Sequence, residues 1–194
     1  MTKHFKTNNV IVRRFEMKDA KQECLNLLES STAENAKIII KSAINEYYTD
    51  EPIWAVEDKL KKNLVGFIRV TNYSRKNKMC NITWAMSTKY WDNIFMKDAL
   101  TQIFNFLFIK KNIELIECLY YETNNKTNII LDEIGMTREA TLRDRRINEV
   151  THKKENFIIY SINKEEFYEK NIFLHKKSYK LLKRKSALVH KKTS

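Results

Sequence analysis

Only two glycines and one proline occur in the 194 residues, where an average chain carries ~7% and ~5%. Cysteine is equally sparse. Cys24, Cys80 and Cys118 are odd in number and form no CxxC pair, which suits buried small hydrophobic side chains, with a reactive thiol as the alternative. His4, His152, His175 and His190 are scattered without HExxH or HxH spacing, so no metal site is expected. No run approaches the ~18 apolar residues of a membrane-spanning helix. The opening MTKHFKTNNVIVRRF has no apolar stretch like the core of a signal peptide. These absences predict a cytoplasmic protein.

Apolar residues make up 43% of the chain, enough for one folded domain with a modest tail. The net charge of +12 is unevenly placed: Lys170–Ser194 holds nine Lys or Arg and no Asp or Glu. The body is therefore close to neutral. Within the tail, Phe173, Leu181, Leu182 and Leu188 are interleaved with lysines. A basic amphipathic helix on a polyanion (RNA, the ribosome or an anionic membrane surface) is one reading, and a solvated, frayed terminus is the other. The expected division is a domain over 1–167 and a basic helical tail over 168–194.

Val10–Phe15 reads as a strand and Asp19–Glu29 as a helix through Cys24, Leu25 and Leu28. A second helix is predicted over Thr32–Tyr48, capped by Ser31 with Glu34 completing a capping box. Ile53–Glu57, Leu64–Asn72 and Met79–Ser87 follow as a three-stranded meander, with Gly66 marking a bulge or close backbone approach. Phe95–Lys110 is the strongest helix, with Met96, Ala99, Leu100, Ile103, Phe104 and Leu107 at 3-4 spacing. Ile113–Tyr121 alternates as a strand. Asn125–Ile134 is a short helix stopped by Gly135. Thr141–Asn148 and Asn156–Asn163 close the sheet, and the residues after Lys164 are helical in character. The order implies an α+β domain with a mixed, mostly antiparallel sheet.

YWDNIFMKDAL, Tyr90–Leu100, resembles the YWGKGYATEAL segment of the RimJ/RimL-type branch of the GNAT superfamily of N-acetyltransferases. Downstream, Asn125–Asn128 (NKTN) resembles that family's NxxS, Leu131–Met136 (LDEIGM) its LEKLGF, and Leu142, Arg143 and Asp144 its LRD. Ile159, Tyr160 and Ser161 resemble its closing LYS. The resemblance covers roughly residues 9–167 and implies a GNAT-like splayed sheet flanked by helices. It implies an acyl-CoA-dependent N-acyltransferase that acetylates a primary amine of a protein N-terminus, a polyamine or a small molecule. Acetyl-CoA would lie between the splayed strands, with its pyrophosphate on the amides that begin the long helix. The resemblance places Ala85, Met86, Ser87, Asn93, Phe95, Met96, Lys97, Asn125 and Asn128 at the cofactor, and Asn128 and Tyr160 at the chemistry.

Several positions depart from the family's pattern. Asp92 and Ile94 stand at glycines and Met96 at alanine or glycine, so their side chains are expected to obstruct the pyrophosphate. Asn81 stands at a glutamate used as general base, Thr83 at a strand glycine and Asn128 at a serine. A non-catalytic GNAT-fold binding protein is therefore the alternative. Glu57 and Glu122 are possible replacement bases, or else solvated carboxylates. Trp84, Tyr90, Trp91 and Phe95 read as core or as a ligand platform. Arg143, Arg145 and Arg146 read as an anion site or as an exposed charged strand face.

Overall fold

In the computed structural model of the chain, residues 4–20, 32–91, 93–148 and 151–171 are described. Cys24, most of the helix expected over Asp19–Glu29, Ser31, Asp92 and the tail beyond Asn171 lie outside them. Strands β1 (Phe5–Lys6), β2 (Val10–Arg13), β3 (Ile53–Asp58), β4 (Leu64–Ser74), β5 (Met79–Met86), β6 (Leu115–Tyr121), β7 (Thr137–Ile147) and β8 (Lys154–Asn163) make one eight-stranded sheet. Its order is β1-β2-β3-β4-β5-β6-β8-β7. Every neighbouring pair is antiparallel except β5 and β6. Helices α1 (Ala33–Glu46), α2 (Asn93–Lys110), α3 (Asn125–Ile134) and α4 (Lys164–Lys170) accompany it. This is the expected mixed α+β architecture.

Strand β3 is buried along its whole length because both of its faces are covered. Trp54 and Val56 enter the larger core beneath α2, while Ile53 and Ala55 meet Phe15 and the Ala36, Ile40 and Ala43 side of α1. The 3-4 spacing of α2 lies where expected: Met96, Ala99, Leu100, Ile103, Phe104 and Leu107 are at most 1% exposed. Each large side chain so buried contributes about 1.5–3 kcal/mol. Helix α1 is capped by Thr32, whose side chain accepts the Asn35 N–H. Gly135 stops α3 in the left-handed region at φ 95°, as the sequence predicts. Helix α4 buries Phe167 and Tyr168, and the Tyr168 hydroxyl donates to Asn105 Oδ1 at 2.8 Å.

Strand β7 begins at Thr137, four residues before the expected Thr141. It is an edge strand with nearly every residue exposed, so it has no in-out alternation for the sequence to reveal.

Arg13 on β2 is buried and fully engaged. Its Nε donates to Glu57 Oε2 at 2.7 Å, and Nη1 and Nη2 donate to the two Asp19 oxygens at 2.8 and 2.7 Å. Burial alone would lower the guanidinium's pKa, but Asp19 and then Glu57 outweigh it and hold the value above the ordinary one. Glu57 is thus neither a free base nor a solvated turn carboxylate; it is the partner of a buried cation.

Candidate active site

Strands β5 and β6 share only three rungs, from Met79–Leu115 to Asn81–Glu117. Beyond them β5 follows β4 and β6 follows β8, so a gap opens from Ile82 onward, leading into the Trp84–Ser87 region where splaying is expected. The Ser87 N–H bonds Val65 O on β4 at 2.8 Å. Backbone groups alternate along a strand, so those of Trp84 and Met86 point the other way, into the gap. At the apex the Ile82 N–H meets the Cys118 thiol. The Trp91 indole Nε1 donates to Met86 O at 3.1 Å and closes off one of the gap's carbonyls.

Helix α2 begins at Asn93, shortly after β5, and its first turn carries the positive end of the helix dipole. Ile94 is 46% exposed there. Phe95 packs edge-on against Tyr90 at 5.8 Å, and Lys97 pairs with Glu133 at 3.0 Å. The Met96 side chain, expected at the mouth, is fully buried. It lies instead under Gly66, where an added Cβ would stand 3.1 Å from Met96 Cε and 2.3 Å from Ala85 O. Gly66 is the close approach the sequence anticipates: it lets β4, β5 and α2 meet. Trp84, Tyr90 and Phe95 are half-buried against the core, whereas Trp91 is 37% exposed with the Lys126 ammonium 3.9 Å from its ring. Ala85 and Ser87 are half-buried, Asn93 begins α2, and Asn125 begins α3 with its side chain exposed.

On the β6 wall, Asn128 and Tyr160 come together through a residue the sequence reading missed. The Tyr120 hydroxyl donates to Asn128 Oδ1, and its ring lies 5.6 Å from that of Tyr160. Burial first, then a hydrogen bond with Tyr160, holds the Tyr120 phenol well above its ordinary pKa, so it keeps its proton. The signal was present in β6, where the even-numbered Ile116 and Cys118 are core residues, which puts Tyr120 on the same face.

The odd-numbered residues of β6 point to the opposite face. Glu117 is in register with Asn81 on β5 and with Ser161 on β8, and adjacent strands lie about 4.8 Å apart. It stands at the last rung before the gap, half-buried, with no side-chain hydrogen bond or ion pair among the described residues. The other carboxylates considered are occupied: Glu122 accepts from Asn156 Nδ2 at 2.8 Å and pairs with Arg138 at 3.2 Å, and Glu57 belongs to Arg13. Sequence reasoning named Glu57 and Glu122 and missed Glu117, whose local pattern is that of any polar alternate position.

Burial, with a smaller contribution from the Glu51 charge, pushes the Cys80 thiol from 9.0 up to about 12, and burial pushes Cys118 up as well. In a Cys24→Ser variant, a thiol reagent at neutral pH is expected to leave both unmodified until denaturant is added. Rapid labelling of the native protein would contradict this burial. The raised Cys80 value also means that its share of stability is whole below about pH 9 and is lost as the pH climbs toward about 12.

Residues 8–137 match the family model described as the acetyltransferase (GNAT) domain. The chain belongs to the GNAT acetyltransferase family. It is 23% identical over 111 residues to the uncharacterized N-acetyltransferase YoaA of Bacillus subtilis, a match over 57% of this chain and 62% of YoaA. The chain thus spans under two thirds of that relative's length. Among solved structures, the ribosomal-protein-S5-alanine acetyltransferase of Vibrio fischeri superimposes with a TM-score of 0.72 at 17% identity, over 85% of this chain and 98% of that one. The Microcin C7 self immunity acetyltransferase MccE, in complex with acetyl-CoA and AMP, gives a TM-score of 0.68 at 14% identity over 81% and 93%. These likenesses establish the GNAT fold. No described helix is long and apolar enough to cross a membrane.

Proposed function

We propose that this GNAT chain is an N-acyltransferase of the RimJ/RimL type, moving an acetyl group from acetyl-CoA to a primary amine. The observation that carries this reading is the β5–β6 gap, with a carboxylate on one face of its apex and a protonated phenol on the other. The residues present fit the cofactor. The Met96 side chain is buried in the core, and the backbone groups of Trp84 and the N–H of Met86 face the gap, the Met86 carbonyl being taken by Trp91. Acetyl-CoA supplies the thioester to be attacked. The amides of Asn93–Lys97 offer the positive end of the α2 dipole to its pyrophosphate, with Ala85, Ser87 and Asn125 flanking its arm.

Glu117 accepts the proton of the incoming amine, directly or through one water, in the place left by the Asn81 substitution. Tyr120 Oη, whose one proton is donated to Asn128 Oδ1 in this structure, would protonate the leaving thiolate by turning that O–H from Asn128 toward the sulfur side of the gap. The acceptor is a protein N-terminus, a polyamine or a small amine; the fold shared with a ribosomal-protein acetyltransferase supports a protein. The basic segment Lys170–Ser194 would add a polyanion contact, RNA, ribosome or anionic membrane, to either reading.

A second reading, a binding protein that has lost the transfer chemistry, is favoured by Ile94, which projects at the helix start. Calorimetric titration with acetyl-CoA and longer acyl-CoAs separates the two, and saturable binding is the expected result. In an Asp92→Gly, Ile94→Gly variant the affinity should rise, because a like charge and a branched side chain are removed. Absence of binding in both the native protein and the folded variant would leave the binding-protein reading in place.

A further inference from the structure

The β7–β8 hairpin carries a feature that the transfer chemistry does not use. Between the Leu142–Phe157 and Arg146–Glu155 rungs, the residues Arg143, Asp144 and Arg145 stand opposite the single Asn156. Such a bulge re-aims side chains at a sheet edge. It is held in place: Asp144 sits at φ 56°, its N–H donates to Asn156 Oδ1 at 3.0 Å, and its carboxylate pairs with Lys154 at 3.5 Å. Asn156 in turn donates to Glu122, the residue after β6, which ties the bulge across β8 to the end of that strand.

Arg143 and Arg145 are exposed, and neither side chain has a hydrogen bond or ion pair among the described residues. β7 is also the outer strand of the sheet, so one row of its backbone groups has no strand partner among the described residues. An extended peptide can add to such an edge through main-chain hydrogen bonds. Nucleic acid would instead call for an open aromatic platform. Of the rings by the bulge, Phe157 and Tyr121 cover each other at 4.8 Å, and the Arg146 guanidinium lies 4.9 Å from Tyr121.

We propose that the Arg143–Arg145 bulge, together with the open edge of β7, seats an acidic, extended polypeptide segment of a partner protein. The proposal goes beyond the acyltransferase reading and does not depend on it.

The test is fluorescence anisotropy on the full chain. The probes are a peptide with a free N-terminus, alternating Glu and Thr, labelled at its C-terminus, its Gln-for-Glu counterpart, and a single-stranded RNA. The acidic peptide should bind about tenfold more tightly than the Gln peptide at low salt, and the advantage should shrink as salt rises. Arg143→Glu with Arg145→Glu should remove that advantage. Lys37→Glu with Lys41→Glu, the same charge change on α1, should leave it. Equal binding of the two peptides, or equal loss in both variants, would overturn the proposal. So would a bulge variant that loses RNA binding while still holding the peptide. Acetyl-CoA titration of the same samples keeps the two ideas apart. A chain that seats the peptide but not acetyl-CoA loses the acyltransferase reading alone. One that binds acetyl-CoA but not the acidic peptide loses the bulge proposal alone.

Discussion

Replacing Glu117 by Gln is expected to lower kcat for amine acetylation by about 10²–10⁴, the usual worth of a positioned general base. Acetyl-CoA affinity and melting temperature should stay close to those of the native protein. The expectation rests on three observations. Glu117 lies at the last rung where β5 and β6 pair. It is half-buried and has no side-chain partner among the described residues. Glu57 and Glu122 are tied to Arg13, Arg138 and Asn156, and Glu139 accepts from Ser161. Glutamine keeps the shape and removes the proton acceptor, so binding of cofactor should not sense the change. Glu117→Asp keeps the acceptor on a shorter arm and should retain part of the rate. A Gln variant with native kcat would show that deprotonation occurs elsewhere. A variant that loses acetyl-CoA binding along with rate would make Glu117 a structural residue.

The second large effect concerns stability. Arg13→Met should destabilise the fold by about 3–5 kcal/mol, because it leaves two buried carboxylates without their cation. Denaturant unfolding followed by circular dichroism measures it. The triple variant Arg13→Met, Asp19→Asn, Glu57→Gln should recover much of the loss, since no uncompensated charge remains inside. A single variant within about 1 kcal/mol of the native protein would mean that water or relaxation satisfies Asp19 and Glu57, and that the pair holds little of the β2–β3 corner together.

Both effects come from residues whose importance is invisible to local patterning. Arg13 reads as one of two basic residues in an apolar strand, and only the fold shows that it points inward while Arg14 stacks over Tyr48 at the surface. Glu57 reads as a plausible base until Arg13 is found against it. Met96 reads as an obstruction at the helix start. The face of α2 it occupies turns it under Gly66, because a residue in the first turns of a buried helix can serve the core while its backbone serves the mouth.

The sequence alone determined the order of strands β2 to β8 and helices α1 to α4, though not the two-residue β1, and also the apolar face of α2 and the glycine stop after α3. It also determined the family resemblance carried by Tyr90–Leu100 and Asn125–Asp144. All of these are local, written in 3-4 spacing, alternation or adjacent motif residues. Only the tertiary structure decided that Glu117 stands beside Asn81, that Tyr120 joins Asn128 to Tyr160, and that Arg143 and Arg145 form a bulge clamped by Asn156. Those contacts depend on strand register and on which sheet face a residue takes. Register is fixed by packing between segments far apart in the chain, and no periodicity within either segment encodes it.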